Sequence, residues 1–318
     1  MGLFTRNYSR PGRGVDKDAP EKTAFFMFFE LVGRKFFRLV MINIFYFIII
    51  SPIFILFYGY LYGWLITRIP VQGEVQLPIL LDLIRILLEA LPENAQAPLV
   101  ILSVMLQGPF TMGFTYMMRN MARQEHTWTS DFFTRTVSNH RQGIVFSLLD
   151  ALAVIILLLS FSLVSITGAE GGLALGFNIW KYVCLVLFVF YLAMRVYFYQ
   201  LAVTVELPVL GIIKNSAIFA VLGLWRNALA LVCCAAAGFL ALFLHPVAEV
   251  IVVPLFLFSF CGFLIQFTTY PIVDKYIVRP AKALEAKPEE ELPPDVLARM
   301  GGLPPELGGP GAGAHEDN

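Results

Sequence analysis

Apolar residues along the chain are grouped into six long runs that are separated by polar segments. A transmembrane helix needs about 20 mostly apolar residues, and each run reaches that length. Lipid offers no partner to a free backbone N–H or C=O group, so each run must close into a helix. The pattern therefore predicts an all-α, polytopic membrane protein with about six transmembrane helices, at residues 39–64, 98–118, 144–167, 179–204, 223–245 and 248–272.

Amphipathic stretches lie between these runs. Residues 1–38 form a polar N-terminal segment that ends in a Phe-rich, basic stretch, which predicts an interfacial helix. In the loop after the first run, residues 77–92 place charged positions at helical spacing among Leu and Ile, which predicts an outer amphipathic helix. Two further polar loops, 119–143 and 205–226, follow the second and fourth runs.

Composition supports a membrane protein and the distribution of charge orients it. The chain has 318 residues, 58% hydrophobic and 14% charged, whereas soluble domains carry about 25% charged residues. Its net charge of zero gives no argument for a nucleic-acid partner. Of the 23 Lys and Arg residues, 19 fall on the side that carries both termini, three fall on the other side, and Arg195 lies within the fourth run. The positive-inside rule therefore predicts that the N- and C-termini are both cytoplasmic.

The loop 119–143 contains the densest group of candidate functional residues. They are Arg119, Asn120, Arg123, Glu125, His126, Trp128 and Asp131. One interpretation is a cytoplasmic interfacial helix, capped by Thr129 or Ser130, that turns Phe132, Phe133 and Val137 inward. The other is an acid-base cluster of Glu125, His126 and Asp131. No spacing here matches a zinc pattern, and we predict no metal, no cofactor and no catalytic residue.

Charged residues inside the apolar runs are the second group of candidates, because burying a charge in a membrane costs free energy. Asp150 and Arg195 could pair across neighbouring helices. Alternatively, Arg195 extends to the inner surface and Asp150 bonds locally. Apparent helix breakers occur at Pro52, Pro109 and Pro254. Glu206, Lys214 and Asn215 complete the candidates, in the loop 205–226.

The chain divides into three parts on composition. Residues 1–38 are the N-terminal segment, and 39–280 form the six-helix transmembrane domain. Residues 281–318 are rich in Pro, Glu and Gly, which predicts a disordered cytoplasmic tail.

Several blocks of the sequence resemble one family. FFELVGRKFFRL, GPFTMGFTYMMRNMARQEHTWTSDFF and RVYFYQLAVTVELPVLGIIKNSAIFA are together similar to the YesL-like family of bacterial multi-pass membrane proteins, a domain of unknown function. The resemblance implies a setting in carbohydrate uptake, with some members suggested as permease components. It implies no catalytic residue.

Three hypotheses follow. The first is a non-enzymatic accessory component, whose loops 119–143 and 205–226 dock subunits of an ABC-type transporter. The second is a stand-alone carrier or channel for a small solute, with its path near Gln107, Asp150 and Arg195. The third is a membrane-embedded enzyme. Besides the lipid bilayer, a homo-oligomeric partner is compatible with each of them.

Overall fold

The computed structural model describes residues 23–66, 86, 92–168, 170–243 and 251–285. These residues are almost all helical, and no strand occurs among them. The α-helices are α1 (Ala24–Arg34), α2 (Phe36–Ile66), α3 (Glu93–Ala122), α4 (Thr129–Ser138), α5 (His140–Thr167), α6 (Gly171–Ala202), α7 (Val209–Leu222), α8 (Leu224–Phe243), α9 (Phe258–Val273) and α10 (Arg279–Glu285). Two π-helical turns, Val253–Leu257 and Asp274–Val278, flank α9.

In the part of the chain that the structure describes, five helical segments are long and apolar enough to cross a membrane. They are Pro98–Ala122, His140–Val164, Gly171–Ala202, Leu224–Ala241 and Val253–Ala283. Among the described residues the all-α prediction is therefore confirmed, and the apolar helices are long enough for several passes through a membrane. The remaining predicted span, 39–64, falls within α2, a helix of 31 residues. Within that helix, Phe36–Ser51 forms an apolar segment that is shorter than a span.

The predicted flanking segments have different outcomes. The predicted N-terminal helix is present as α1, which buries Phe28 and Leu31 and exposes Phe25. The predicted outer helix 77–92 lies outside the described residues, apart from Ile86 and Pro92. The sequence predicts a disordered tail that begins at residue 281. Helix α10 instead continues to Glu285, because its Ala-Lys-Ala-Leu-Glu sequence consists of good helix formers. The rest of the tail lies outside the described residues.

Glycines set the closest contacts of α3 with its neighbours. A Cβ atom on Gly108 would lie 1.8 Å from the carbonyl oxygen of Gly143 in α5, and one on Gly143 would lie 2.6 Å from the backbone nitrogen of Pro109. A Cβ atom on Gly113 would lie 2.4 Å from the carbonyl oxygen of Phe132 in α4. Small residues at these crossings let the backbones approach closely, as is common between membrane helices.

Two of the three predicted helix breakers do not interrupt a helix. Helix α2 continues through Pro52, and α3 continues through Pro109. Only Pro254 coincides with an irregularity, the first π-helical turn. Asn43 of α2, which is fully buried, supports that turn: its Nδ2 donates to the carbonyl oxygens of Val253 (3.0 Å) and Pro254 (2.6 Å), and its Oδ1 accepts from the backbone N–H of Ser259 (2.7 Å). The amide thus replaces backbone hydrogen bonds that the turn disturbs.

Basic side chains from the α1–α2 junction hold the loop that follows α3. Arg34 Nη2 donates to Gln124 Oε1 (2.7 Å), Lys35 Nζ donates to the carbonyl oxygen of Met121 (2.7 Å), and Arg38 Nη2 donates to that of Thr127 (2.6 Å). The start of the described chain and the C-terminal end of α3 therefore lie at the same end of the bundle. We refer to it as the basic end.

Candidate functional site

Helix α3 ends in a Schellman motif that positions the candidate loop. The backbone N–H of Gln124 donates to the carbonyl oxygen of Met121 (3.2 Å), and that of Glu125 donates to Asn120 (2.9 Å). Gln124 adopts a left-handed conformation, with φ of 61°, at the position where such motifs usually carry glycine. The reversal of the chain keeps Arg123 and Glu125 beside the last turn of α3.

Arg119 and Asn120 are buried, with 6% and 3% of their surface exposed. The guanidinium of Arg119 donates from Nε (3.0 Å) and Nη2 (2.8 Å) to Asn120 Oδ1, and from Nη1 to the carbonyl oxygen of Val203 and to Thr204 Oγ1 (2.9 Å). These bonds connect the end of α3 to the chain that leaves α6. Arg119 therefore joins the loop 119–143 to the residues directly before the loop 205–226, and most of its hydrogen-bonding capacity is already used.

The rings of two tyrosines contact the guanidinium groups of neighbouring arginines. The guanidinium carbons of Arg119 and Arg135 lie 5.0 Å and 4.8 Å from the ring centre of Tyr116, and that of Arg123 lies 5.0 Å from the ring centre of Tyr270. Such cation–π contacts orient cations without neutralising them. Three arginines are thus held close together at the basic end.

The three arginines and Tyr116 line a polar cavity of about 420 Å³, which we call the basic cavity. Four cations line it, Arg119, Arg123, Arg135 and Lys282, with two carboxylates, Glu125 and Glu206. Arg123 Nη2 pairs with Glu125 Oε1 at 2.6 Å. Among the described residues that line the cavity, the cations outnumber the carboxylates by two, so the cavity favours a negatively charged group.

Helix α4 differs from its prediction in which apolar residues it buries. Phe132 is buried, as predicted, but Phe133 and Val137 are 48% and 69% exposed. The inward-facing residue four positions after Phe132 is Thr136, because α4 packs closely on Gly113. The N-terminal cap of α4 also differs from the predicted Thr129 or Ser130. Trp128 occupies the cap position, and its backbone N–H donates to Asp131 Oδ2 (2.8 Å).

The acid-base alternative is not supported by the placement of its residues. Glu125 contacts Arg123, and Asp131 accepts the Trp128 backbone N–H. His126 packs its ring edge-on against the exposed Trp128, with ring centres 4.8 Å apart. None of these contacts joins two of the three ionisable groups: Glu125 pairs with Arg123, whereas His126 and Asp131 contact the ring and the backbone of Trp128.

The loop 205–226 contributes only in part. Glu206 is exposed and lines the basic cavity. Lys214 is an exposed residue of α7, and Asn215 Nδ2 donates to the carbonyl oxygen of Gly211 in its own helix (2.8 Å). Neither Lys214 nor Asn215 lines the cavity.

Asp150 and Arg195 form an ion pair within the helical bundle. Arg195 Nε lies 2.8 Å from Asp150 Oδ1, and the Asp150 side chain is only 7% exposed. Tyr191 Oη donates to the same carboxylate oxygen (2.6 Å), and Tyr199 Oη donates to Oδ2 (2.8 Å). The alternative in which Arg195 extends away and Asp150 bonds only locally is therefore wrong.

The tyrosines of this cluster were not predicted. The available signal was their spacing: Tyr191, Arg195 and Tyr199 recur every four residues and therefore share one face of α6. Beside them lies a central cavity of about 290 Å³ between α2, α3, α6, α8 and α9, lined by Arg195, Tyr199 and Gln266 among others. Gln107, which we predicted on the same path, is not among the residues that line this cavity.

Comparison with known proteins adds no relationship to these observations. No family model, no curated protein and no solved structure matches the chain.

Proposed function

We propose that the chain is a non-enzymatic accessory component of a bacterial uptake system, and that the basic cavity docks an acidic segment of a transporter subunit. The proposal places six spans in the plasma membrane, with α1 at the interface and both termini in the cytoplasm. The resemblance to the YesL-like family suggests carbohydrate uptake and an ABC-type partner.

One observation carries this proposal: both candidate loops contribute to a single cavity with an excess of cations. Arg119 is committed to internal hydrogen bonds, and Arg123 is paired with Glu125. Arg135 and Lys282 line the same cavity, and among the described residues neither has a carboxylate within salt-bridge distance. These two cations are therefore the best placed to meet an acidic side chain of a partner.

The test is affinity purification from native membranes in a mild detergent, followed by intact-complex mass spectrometry. The wild type is expected to carry a transporter subunit at fixed stoichiometry. Arg135→Glu should lose that subunit, because it reverses the charge at this position and removes the excess of cations from the cavity. Arg141→Glu is the matched control, since Arg141 is an exposed arginine that does not line the cavity. A wild type that purifies alone, or equal retention by both variants, would contradict docking at the basic cavity.

A second candidate function, a small-solute carrier, is favoured by the central cavity beside the Asp150–Arg195 pair. Ionisable groups at membrane depth often mark solute pathways. This function predicts solute flux in proteoliposomes that contain this chain alone. Arg195→Ala should abolish the flux while the protein stays folded, and unchanged flux would remove Arg195 from the pathway.

A further inference from the structure

A second cavity at the basic end combines cations with apolar walls. It has a volume of about 720 Å³ and lies between α1, α8 and α9, with Arg123 shared between it and the basic cavity. Pockets of this size are large enough to hold most of a small organic molecule. We call it the lateral cavity, and its composition differs from that of the basic cavity.

The charged part of the lateral cavity suits an anion. Arg123, Arg226 and Arg279 line it, together with Asp274. Arg279 Nε pairs with Asp274 Oδ2 at 2.7 Å. Arg226 is exposed, and its Nη1 donates a long hydrogen bond to the carbonyl oxygen of Thr268 (3.4 Å). Its guanidinium therefore retains donors for a phosphate group, to which arginine binds well.

Apolar side chains form another part of the lining. A free inorganic ion would make no favourable contact with them, whereas the apolar part of a larger ligand would. Met27, Trp225, Leu229 and Phe267 form these walls. Trp225 is 81% exposed and directly precedes Arg226 in α8. A tryptophan next to an arginine at the end of an apolar helix is typical of the level at which lipid headgroups meet acyl chains.

We propose that the lateral cavity binds an anionic phospholipid, with its phosphate at Arg226 and Arg123 and the start of an acyl chain along Trp225 and Leu229. The inference goes beyond docking at the basic cavity and requires only that the chain lies in a membrane. Basic pockets between helices at the cytoplasmic side are a known form of lipid-headgroup recognition. Because Arg123 borders both cavities, a bound lipid would lie directly beside the proposed docking site.

The test uses the delipidated full chain in detergent, with dioleoyl phosphatidylglycerol or dioleoyl phosphatidylcholine added and the retained lipid read by intact mass. The wild type should retain phosphatidylglycerol at least fivefold better than phosphatidylcholine. Arg226→Gln should reduce that retention about fivefold, the usual effect of one basic residue near an anionic headgroup. Arg141→Gln, which removes an exposed arginine outside the cavity, should leave it unchanged.

A second arm separates a lipid from a free phosphate. Trp225→Ala should weaken retention of phosphatidylglycerol, and excess glycerol 3-phosphate should not displace the lipid from the wild type. Complete displacement by glycerol 3-phosphate would assign the cavity to a soluble phosphate and overturn the lipid site. Equal retention of the two lipids by the wild type would overturn it without any variant. Loss of the transporter partner leaves these lipid measurements unaffected, so the two proposals fail separately.

Discussion

Arg195 donates from Nε to Asp150 Oδ1 over 2.8 Å, which joins by an ion pair two helices, α6 and α5, that are long and apolar enough to cross a membrane. The pair is asymmetric: the Asp150 side chain is 7% exposed, whereas that of Arg195 is 32% exposed. Asp150 also accepts hydrogen bonds from two tyrosines. The buried carboxylate is thus satisfied by three donors on one face of α6.

Removing either member of this pair should destabilise the bundle. Breaking a buried pair costs roughly 3–5 kcal/mol, and we expect about 2–3 kcal/mol for Asp150→Asn or Arg195→Met, because Arg195 is partly exposed and Asp150 keeps its tyrosines. The double substitution should cost less than the sum of the two single ones. Denaturant titration in mixed micelles measures all three, and strict additivity would show that the pair contributes nothing.

Gly113→Ala should separate α4 from α3. The added Cβ would lie 2.4 Å from Phe132 O and from Thr136 Oγ1, so helix α4 must shift, at a cost of about 1–3 kcal/mol. Gly176→Ala is the matched control, since nothing lies within 4 Å of its Cβ position and alanine is the better helix former. Thermal unfolding in detergent should show a loss for the first variant and none for the second.

Gln124 tests the Schellman motif at the end of α3. Gln124→Gly and Gln124→Ala both remove the hydrogen bond with Arg34, so the difference between them reports the left-handed backbone alone. We expect the glycine variant to be more stable than the alanine variant by about 1 kcal/mol. Unfolding free energies of the two proteins provide the measurement. An alanine variant as stable as the glycine variant would argue against a left-handed residue at this position.

Lys35 should make the stability of the folded protein change with pH in the alkaline range. Burial, followed by the charges of Arg34 and Arg38, lowers the pKa of Lys35 from its ordinary value of 10.5. Between the lowered pKa and 10.5 the unfolded chain binds the proton and the folded chain does not, so stability rises with pH in that window. The unfolding temperature of the wild type should therefore rise relative to that of Lys35→Met as pH increases towards 10.5. Parallel pH profiles of the two proteins would contradict this.

The helices could be predicted because the bilayer fixes the length of apolar sequence that a span requires. Five predicted spans coincide with apolar helices, and α1 and α4 were also expected. The side chains that pair between helices could not be predicted in the same way, because the hydropathy of the sequence does not show which helices are neighbours. The pairing of Asp150 with Arg195 was one of two alternatives, and the two tyrosines beside it were missed.

The errors at α4 have a specific cause. Phe133 and Val137 were placed inward on the assumption that every apolar residue of an amphipathic helix packs against protein. Helix α4 instead contacts α3 through a narrow strip that includes Phe132 and Thr136, where Gly113 allows close approach. The contribution of Arg135 and Lys282 to the basic cavity was also missed, since these residues are far apart in the sequence.

The contact between Gly108 and Gly143 limits which codon changes at these two positions are compatible with the fold. Any missense change in either codon adds a Cβ atom within 3 Å of backbone atoms of the opposite helix, and no rotamer of the new side chain avoids that overlap. Selection acting on a folded protein would therefore remove every amino-acid replacement at these two codons unless the helices moved apart. Synonymous changes alone should accumulate there among functional alleles.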